Sequence, residues 1–118
     1  MANKFITKQY WFKMNKTLNV ASDFCKTPGG RYKTDGPYSG ELFREKLIDL
    51  INDKSIDKII VNFDGLETSG SSFLEEAFGG LIRQGISRET IKNKLFFECD
   101  DDLTIIPLIN QYIEEALI

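Results

Sequence analysis

The chain has 118 residues, 42% of them hydrophobic, and a formal net charge of −3, which fits one globular domain over residues 1–118 and leaves no length for a second. No apolar run approaches the roughly 20 residues of a membrane span, and histidine is absent, which removes the commonest general base, the commonest transition-metal ligand and every Ser-His or Cys-His nucleophile pair. Cys25 and Cys99 stand far apart without the spacing of a zinc site or a disulfide framework, so no metal, cofactor or catalytic residue is expected and the chain reads as a non-enzyme.

At the start, Met1-Ala2-Asn3-Lys4 leads into Phe5-Ile6-Thr7-Lys8-Gln9, whose polar residues interrupt a signal-peptide core, and a cytoplasmic location is expected. Residues 1–34 carry seven basic groups against Asp23 alone; such lysines suit the solvated edges of exposed strands. Beyond Tyr10-Trp11-Phe12 there is no aromatic and basic interleaving, so a nucleic-acid partner is not expected. Residues 4–14 and 17–22 read as two strands with Met14-Asn15-Lys16 as the turn between them, an N-terminal antiparallel hairpin whose free edges leave monomer and weak homodimer both open.

Residues 23–38 are rich in glycine and proline, too irregular for an element and long for an idle connection. Gly29, Gly30 and Arg31, with Tyr32, Tyr38 and Ser39 close behind, make a candidate anion or ligand loop: backbone N–H groups and a guanidinium for a phosphate, tyrosine rings for a base. The loop lacks the Lys-Ser/Thr of a P-loop and the spacing of a dinucleotide fingerprint, and an Ω-type loop pinned by its tyrosines is the plain alternative.

Ser39 begins a predicted helix with an apolar stripe at Leu42, Phe43, Leu47, Leu50 and Ile51, ending at Asn52-Asp53-Lys54. A β-branched run over 57–63 predicts a buried strand. After a polar turn the helical spacing resumes at Phe73, Ala77, Phe78, Leu81 and Ile82, a helix from about Ser72 to Gln84 closed by Gly85. In it Gly79-Gly80 costs roughly 1 kcal/mol per residue relative to alanine, which predicts close packing there or the approach of another protein. Ser72 with Glu75 fits a capping box. Residues 94–99 predict a further strand, and Asp100-Asp101-Asp102 an acidic turn before a last helix from near Ile105, with Pro107 in its first turn. The pattern is α/β: a mixed sheet with an N-terminal antiparallel hairpin and about three helices.

The strand ending Asn62-Phe63-Asp64-Gly65-Leu66 and the Ser71-Ser72 pair at a helix entrance resemble the STAS domain of bacterial anti-sigma-factor antagonists. Thr17 to Ala21, Gly29 to Tyr32, Asp35 to Gly40 and Ser71 to Leu81 look like an uncharacterised STAS-like bacterial family. In the antagonists the motif reads Asp-Ser-Ser-Gly and its second serine is phosphorylated by an ATP-dependent kinase. By position, the resemblance implies Ser72 as phosphoacceptor, with Ser71 beside it; Gly70 stands in place of the Asp and Phe73 in place of the Gly. It further implies a regulatory module that binds an ATP-binding kinase-like or anti-sigma-like protein through Asp64, Ser69, Gly70, Phe73, Glu76 and Gly80. Two other readings stay open: a nucleotide or phosphate-ligand domain using the Gly29–Ser39 loop, and an enzyme with Ser71 or Ser72 as nucleophile and Lys33 or Asp64 as base.

Overall fold

Three parallel strands form the sheet, β1 (Met14–Asn19), β2 (Ile56–Asn62) and β3 (Leu95–Glu98), in spatial order β1-β2-β3. They belong to a computed structural model that describes residues 13–117. Among the described residues the expected antiparallel hairpin is not there, and the sheet is parallel rather than mixed. Met14, Asn15 and Lys16, read as its turn, are strand residues opposite Ile56, Lys58 and Ile59 of β2, with a register irregularity after Met14. The physical reason is legible in retrospect: Asn15-Lys16 lacks the glycine that two-residue hairpin turns use to reach positive φ. The second predicted strand stops at Asn19, and Val20–Phe24 winds into a π-helical turn closed by Cys25 N–H on the Val20 carbonyl at 2.9 Å and by Asn19 N–H on Asp23 Oδ2 at 2.8 Å. The earlier part of the first predicted strand, residues 4–12, lies outside the described residues.

Among the described residues there are five α-helices rather than about three. Helix α1 (Gly40–Asn52) starts as the sequence implies, with Ser39 Oγ accepting from Leu42 N–H at 3.2 Å. Its last carbonyls are capped by Lys94 Nζ, which donates to Ile51 O at 2.7 Å and Asp53 O at 3.0 Å, a cation where the helix dipole favours one. The predicted helix after β2 is a single rod whose hydrogen-bond pattern changes along its length: α2 (Ser71–Leu74), a π-helical turn (Glu75–Gly79) and α3 (Gly80–Arg83). Gly85, at φ 91°, ends the rod, with Ile86 N–H returning to Leu81 O at 3.0 Å, the closure that favours glycine. Helix α4 (Arg88–Lys94), unforeseen in the sequence, follows a Ser87 cap. Helix α5 (Ile105–Glu115) buries Ile105, Ile109 and Ile113, and Arg88 caps its end on the carbonyls of Ile113, Glu114 and Ala116.

Consecutive parallel strands joined by right-handed crossovers in one direction place both crossover helices on the same face. The core lies there. Ile59, Val61 and Phe63, alternating along and just beyond β2, are fully buried, as are Phe43 and Leu47 of α1, Phe73, Ala77, Phe78 and Leu81 of the rod, and Ile109 of α5. Phe24, Phe43, Phe63, Phe73, Phe78 and Phe97 form a continuous aromatic chain with ring centroids 5.1–6.2 Å apart. No helix among the described residues is long and apolar enough to cross a membrane.

Candidate functional site

Two stretches far apart in the sequence, the Gly/Pro loop and the serine turn with its helix, meet in space beside α1, Arg31 bonding to Glu75 44 residues later. The loop is laid along the start of α1 by Gly40 N–H donating to Gly30 O and Glu41 N–H to Arg31 O, each at 3.0 Å, while Gly29 N–H donates to Tyr38 O at 3.1 Å. Gly30, at φ 86°, carries the turn, and a Cβ there would lie 2.9 Å from Asp35 Cβ. Gly40 in turn crosses the rod so closely that a Cβ on it would sit 2.5 Å from the Phe73 carbonyl oxygen and 2.9 Å from Glu76 Cβ. The loop, α1 and the rod are thus locked together at the level of Phe73.

What binds them laterally is a cluster of three arginines on two glutamates. Arg31 Nη1 donates to Glu75 Oε1 at 2.5 Å and to Glu76 Oε1 at 3.1 Å. Arg83 forms a fork on Glu75 at 2.8 and 2.9 Å and reaches Glu76 at 3.4 Å. Arg44 from α1 pairs with Glu76 Oε2 in the interior, where both side chains are about nine-tenths buried. The π turn, one residue wider than an α turn, brings the adjacent glutamates to one side. Gly79 and Gly80 make the room: a Cβ on Gly80 would lie 2.9 Å from Arg44 Cδ and 3.2 Å from Glu76 Oε2, and one on Gly79 would collide with Glu75 Oε2. Close internal packing therefore accounts for the glycine pair. The guanidinium of Arg83, then that of Arg31, holds the Glu75 carboxyl below the usual range against the opposing pull of burial, and the same pairing raises both arginines.

The serines stand at the open end of this construction. Ser71 and Ser72 are the first two residues of the rod and both are exposed; Gly70, also exposed, is the N-cap and gives no side-chain cap. The expected capping box is absent, because the rod starts one residue earlier than predicted and Glu75 is taken by two arginines. Ser69 is half-buried. Phe73, Glu76 and Gly80 are buried, so they support the serine turn from beneath rather than face solvent. In the loop, Tyr32 and Tyr38 are half exposed, Tyr38 with its ring edge-on to Phe24 at 5.5 Å, and Ser39 is buried as the α1 cap. Arg31 is engaged by both glutamates. A surface hollow of about 480 Å³ formed by α4, β3 and α5 contains no residue of this loop.

Asp64 does a different job. Its Oδ1 accepts from Asp100 N–H at 2.7 Å and Asp101 N–H at 3.1 Å, while Gly65 N–H donates to Asp101 Oδ2 at 2.8 Å. These donors, Asp100 N–H first, lower the Asp64 pKa, and the three bonds tie the end of β2 to the acidic turn. Cys99 lies within 4.8 Å of the Asp64 and Asp101 oxygens, yet burial pushes its thiol up to about 11 and Sγ donates to Asp101 Oδ1 at 3.3 Å. A protonated thiol is neither a good metal ligand nor a nucleophile. Maleimide labelling of the folded protein at neutral pH should therefore modify Cys25 first and Cys99 about tenfold or more slowly; equal rates would mean that the turn around Cys99 is open.

The sequence reading missed Arg44, Arg83 and the pairing of Glu75. A signal for Arg44 existed: it sits three residues before Leu47 and seven before Ile51, on the buried stripe of α1, and a charge on such a stripe asks for a buried partner. Glu76 gives the matching signal, three residues after Phe73 and one before Ala77.

No curated protein and no solved structure matches the chain. One family model does, over residues 39–102, from the α1 cap through the rod and β3 to the acidic turn, which is more than half of the chain. The α/β fold, the serine turn and this match agree: the chain belongs to the family described as a STAS-like domain of unknown function (DUF4325).

Proposed function

We propose that the protein is a non-enzymatic regulatory module that binds an ATP-using, kinase-like or anti-sigma-like protein partner in the cytoplasm, and that phosphorylation of Ser72, with Ser71 as the neighbouring acceptor, weakens the complex. The observation that carries this reading is the placement of two exposed hydroxyls on a rod whose next residues, Phe73 and Leu74, are fixed in the core. A partner meets them on a rigid platform, with Ser69, Gly70 and the outer faces of Tyr32 and Tyr38 as adjoining surface.

The reaction asked of the partner is simple. Ser72 Oγ attacks the γ-phosphorus of ATP, the bond to the β-phosphate oxygen breaks, ADP leaves, and the hydroxyl proton passes to a carboxylate base of the kinase. The product carries about −1.5 to −2 charge. Glu75 and Glu76, which would otherwise repel it one turn away, are already neutralised by three arginines. Desolvating that new charge against the partner costs far more than leaving it in water, which is why the switch acts on binding rather than on folding. The phosphate-ligand reading of the Gly29–Ser39 loop has less support, since a free ligand has to compete with Glu75 and Glu76 for Arg31 without the high local concentration that a phosphate attached to the rod has.

Affinity recovery of the chain from its native cells, followed by intact-mass analysis, tests the reading. The expected result is a co-purifying ATP-binding protein and a fraction of chain heavier by one phosphate, lost in Ser72→Ala. Recovery of a chain with no partner and no added mass under any growth condition would contradict it.

A further inference from the structure

The arginine cluster is overfilled: three guanidinium groups face two carboxylates, an excess of one positive charge. If Arg31 leaves, Glu75 keeps its two-bond fork to Arg83 at 2.8 and 2.9 Å, and Glu76 keeps buried Arg44 and the longer contact to Arg83 at 3.4 Å. Arg31 is therefore the surplus member, and it is also among the more exposed, with 31% of its side chain open against 10% for Arg44. It uses only Nη1 on the glutamates, so the rest of its fork is available to a second anion.

Its position points that anion out. The Arg31 carbonyl accepts from Glu41 N–H at 3.0 Å, and the neighbouring Gly40 lies against the Phe73 carbonyl. Ser72 precedes Phe73 and lies three and four residues before Glu75 and Glu76, the spacing that puts side chains on one helix face. Arg83, by contrast, reaches Glu75 from the far end of the rod.

We propose that Arg31 is the built-in acceptor for a phosphate on Ser72: on phosphorylation its guanidinium turns from the shared Glu75 and Glu76 oxygens to the phosphate and ties the serine turn to the Gly29–Ser39 loop. The proposal rests on the phosphorylation reading above and deepens it, because it assigns the residue that reads the modification. A dianionic phosphate makes stronger charge-assisted bonds than a carboxylate already shared between arginines, and the exchange leaves the remaining pairs, Arg44 with Glu76 and Arg83 with Glu75, balanced. The loop then carries the phosphorylation state on the surface that Tyr32 and Tyr38 present to a partner.

The test needs no kinase. Phosphoserine is installed at position 72 of the full chain during translation, and the phosphate is titrated by phosphorus NMR. The expected second pKa lies about 1 unit below the ordinary value near 6, returns to that value in Arg31→Gln, stays low in Arg31→Lys, and moves less in Arg83→Gln than in Arg31→Gln. A phosphate that titrates identically in the unsubstituted chain and in Arg31→Gln would overturn the proposal, as would a larger effect from Arg83→Gln. Because the phosphate arrives with the incorporated phosphoserine, these outcomes are independent of whether cells modify Ser72, which the mass analysis decides separately.

Discussion

Replacing Glu76 by alanine should destabilise the protein by about 3–5 kcal/mol, the cost of leaving a buried charge without its partner. For a chain of this size that lowers Tm by about 12–20 °C. The loss is larger than for Arg44→Ala, because Glu76 without Arg44 still has Arg31 at 3.1 Å and Arg83 at 3.4 Å, whereas Arg44 without Glu76 has no carboxylate among the described residues and already carries an unpartnered buried Nε. The double replacement Arg44→Met with Glu76→Leu should recover most of the stability, since an apolar pair of similar volume avoids the desolvation of both charges. Thermal melts of the three variants check the order. Arg44→Ala proving the more damaging single change would contradict the assignment of Glu76 as the shared partner.

The second large effect belongs to Phe73. Its side chain is fully buried and packs at 5.7 Å from the Phe43 ring and 6.1 Å from that of Phe24, so Phe73→Ala should cost about 3–5 kcal/mol. Ser72→Ala, one residue earlier and exposed without a capping bond, should stay within about 0.5 kcal/mol of the unsubstituted chain. Urea unfolding of the pair measures both. The contrast separates two roles that the sequence placed on one surface: the serine is presented and the phenylalanine holds it in place. A neutral Phe73→Ala would mean that the ring is free to face a partner.

Much of this was legible in the residues. The start of α1 at Ser39, the apolar stripe behind it, the buried run of β2 and the glycine stop at Gly85 all follow from local rules that the structure obeys. Local rules failed where a distant partner decided the outcome. Met14-Asn15-Lys16 has the length of a turn, but a distant strand, beginning at Ile56, supplies parallel pairing, and nothing within the stretch reports that. The capping box at Ser72 failed similarly: Ser-x-x-Glu is a pattern of four residues, while the fate of Glu75 is set by Arg31 and Arg83, 44 and eight residues away. The family match adds a boundary of its own. It covers residues 39–102, so Arg31 and its loop stand before it, yet the loop reaches the serine rod through direct ion pairs.

Those pairs and the open hydroxyls beside them are the basis of the functional claim, and an affinity comparison addresses it most directly. The partner recovered from native cells is purified and titrated calorimetrically against the unsubstituted chain, Ser72→Ala and Ser72→Asp, each first shown by thermal melt to be folded. The account predicts near-equal affinity for the first two and at least about tenfold weaker binding for Ser72→Asp, a difference of about 1.4 kcal/mol. Equal affinity for all three would contradict it.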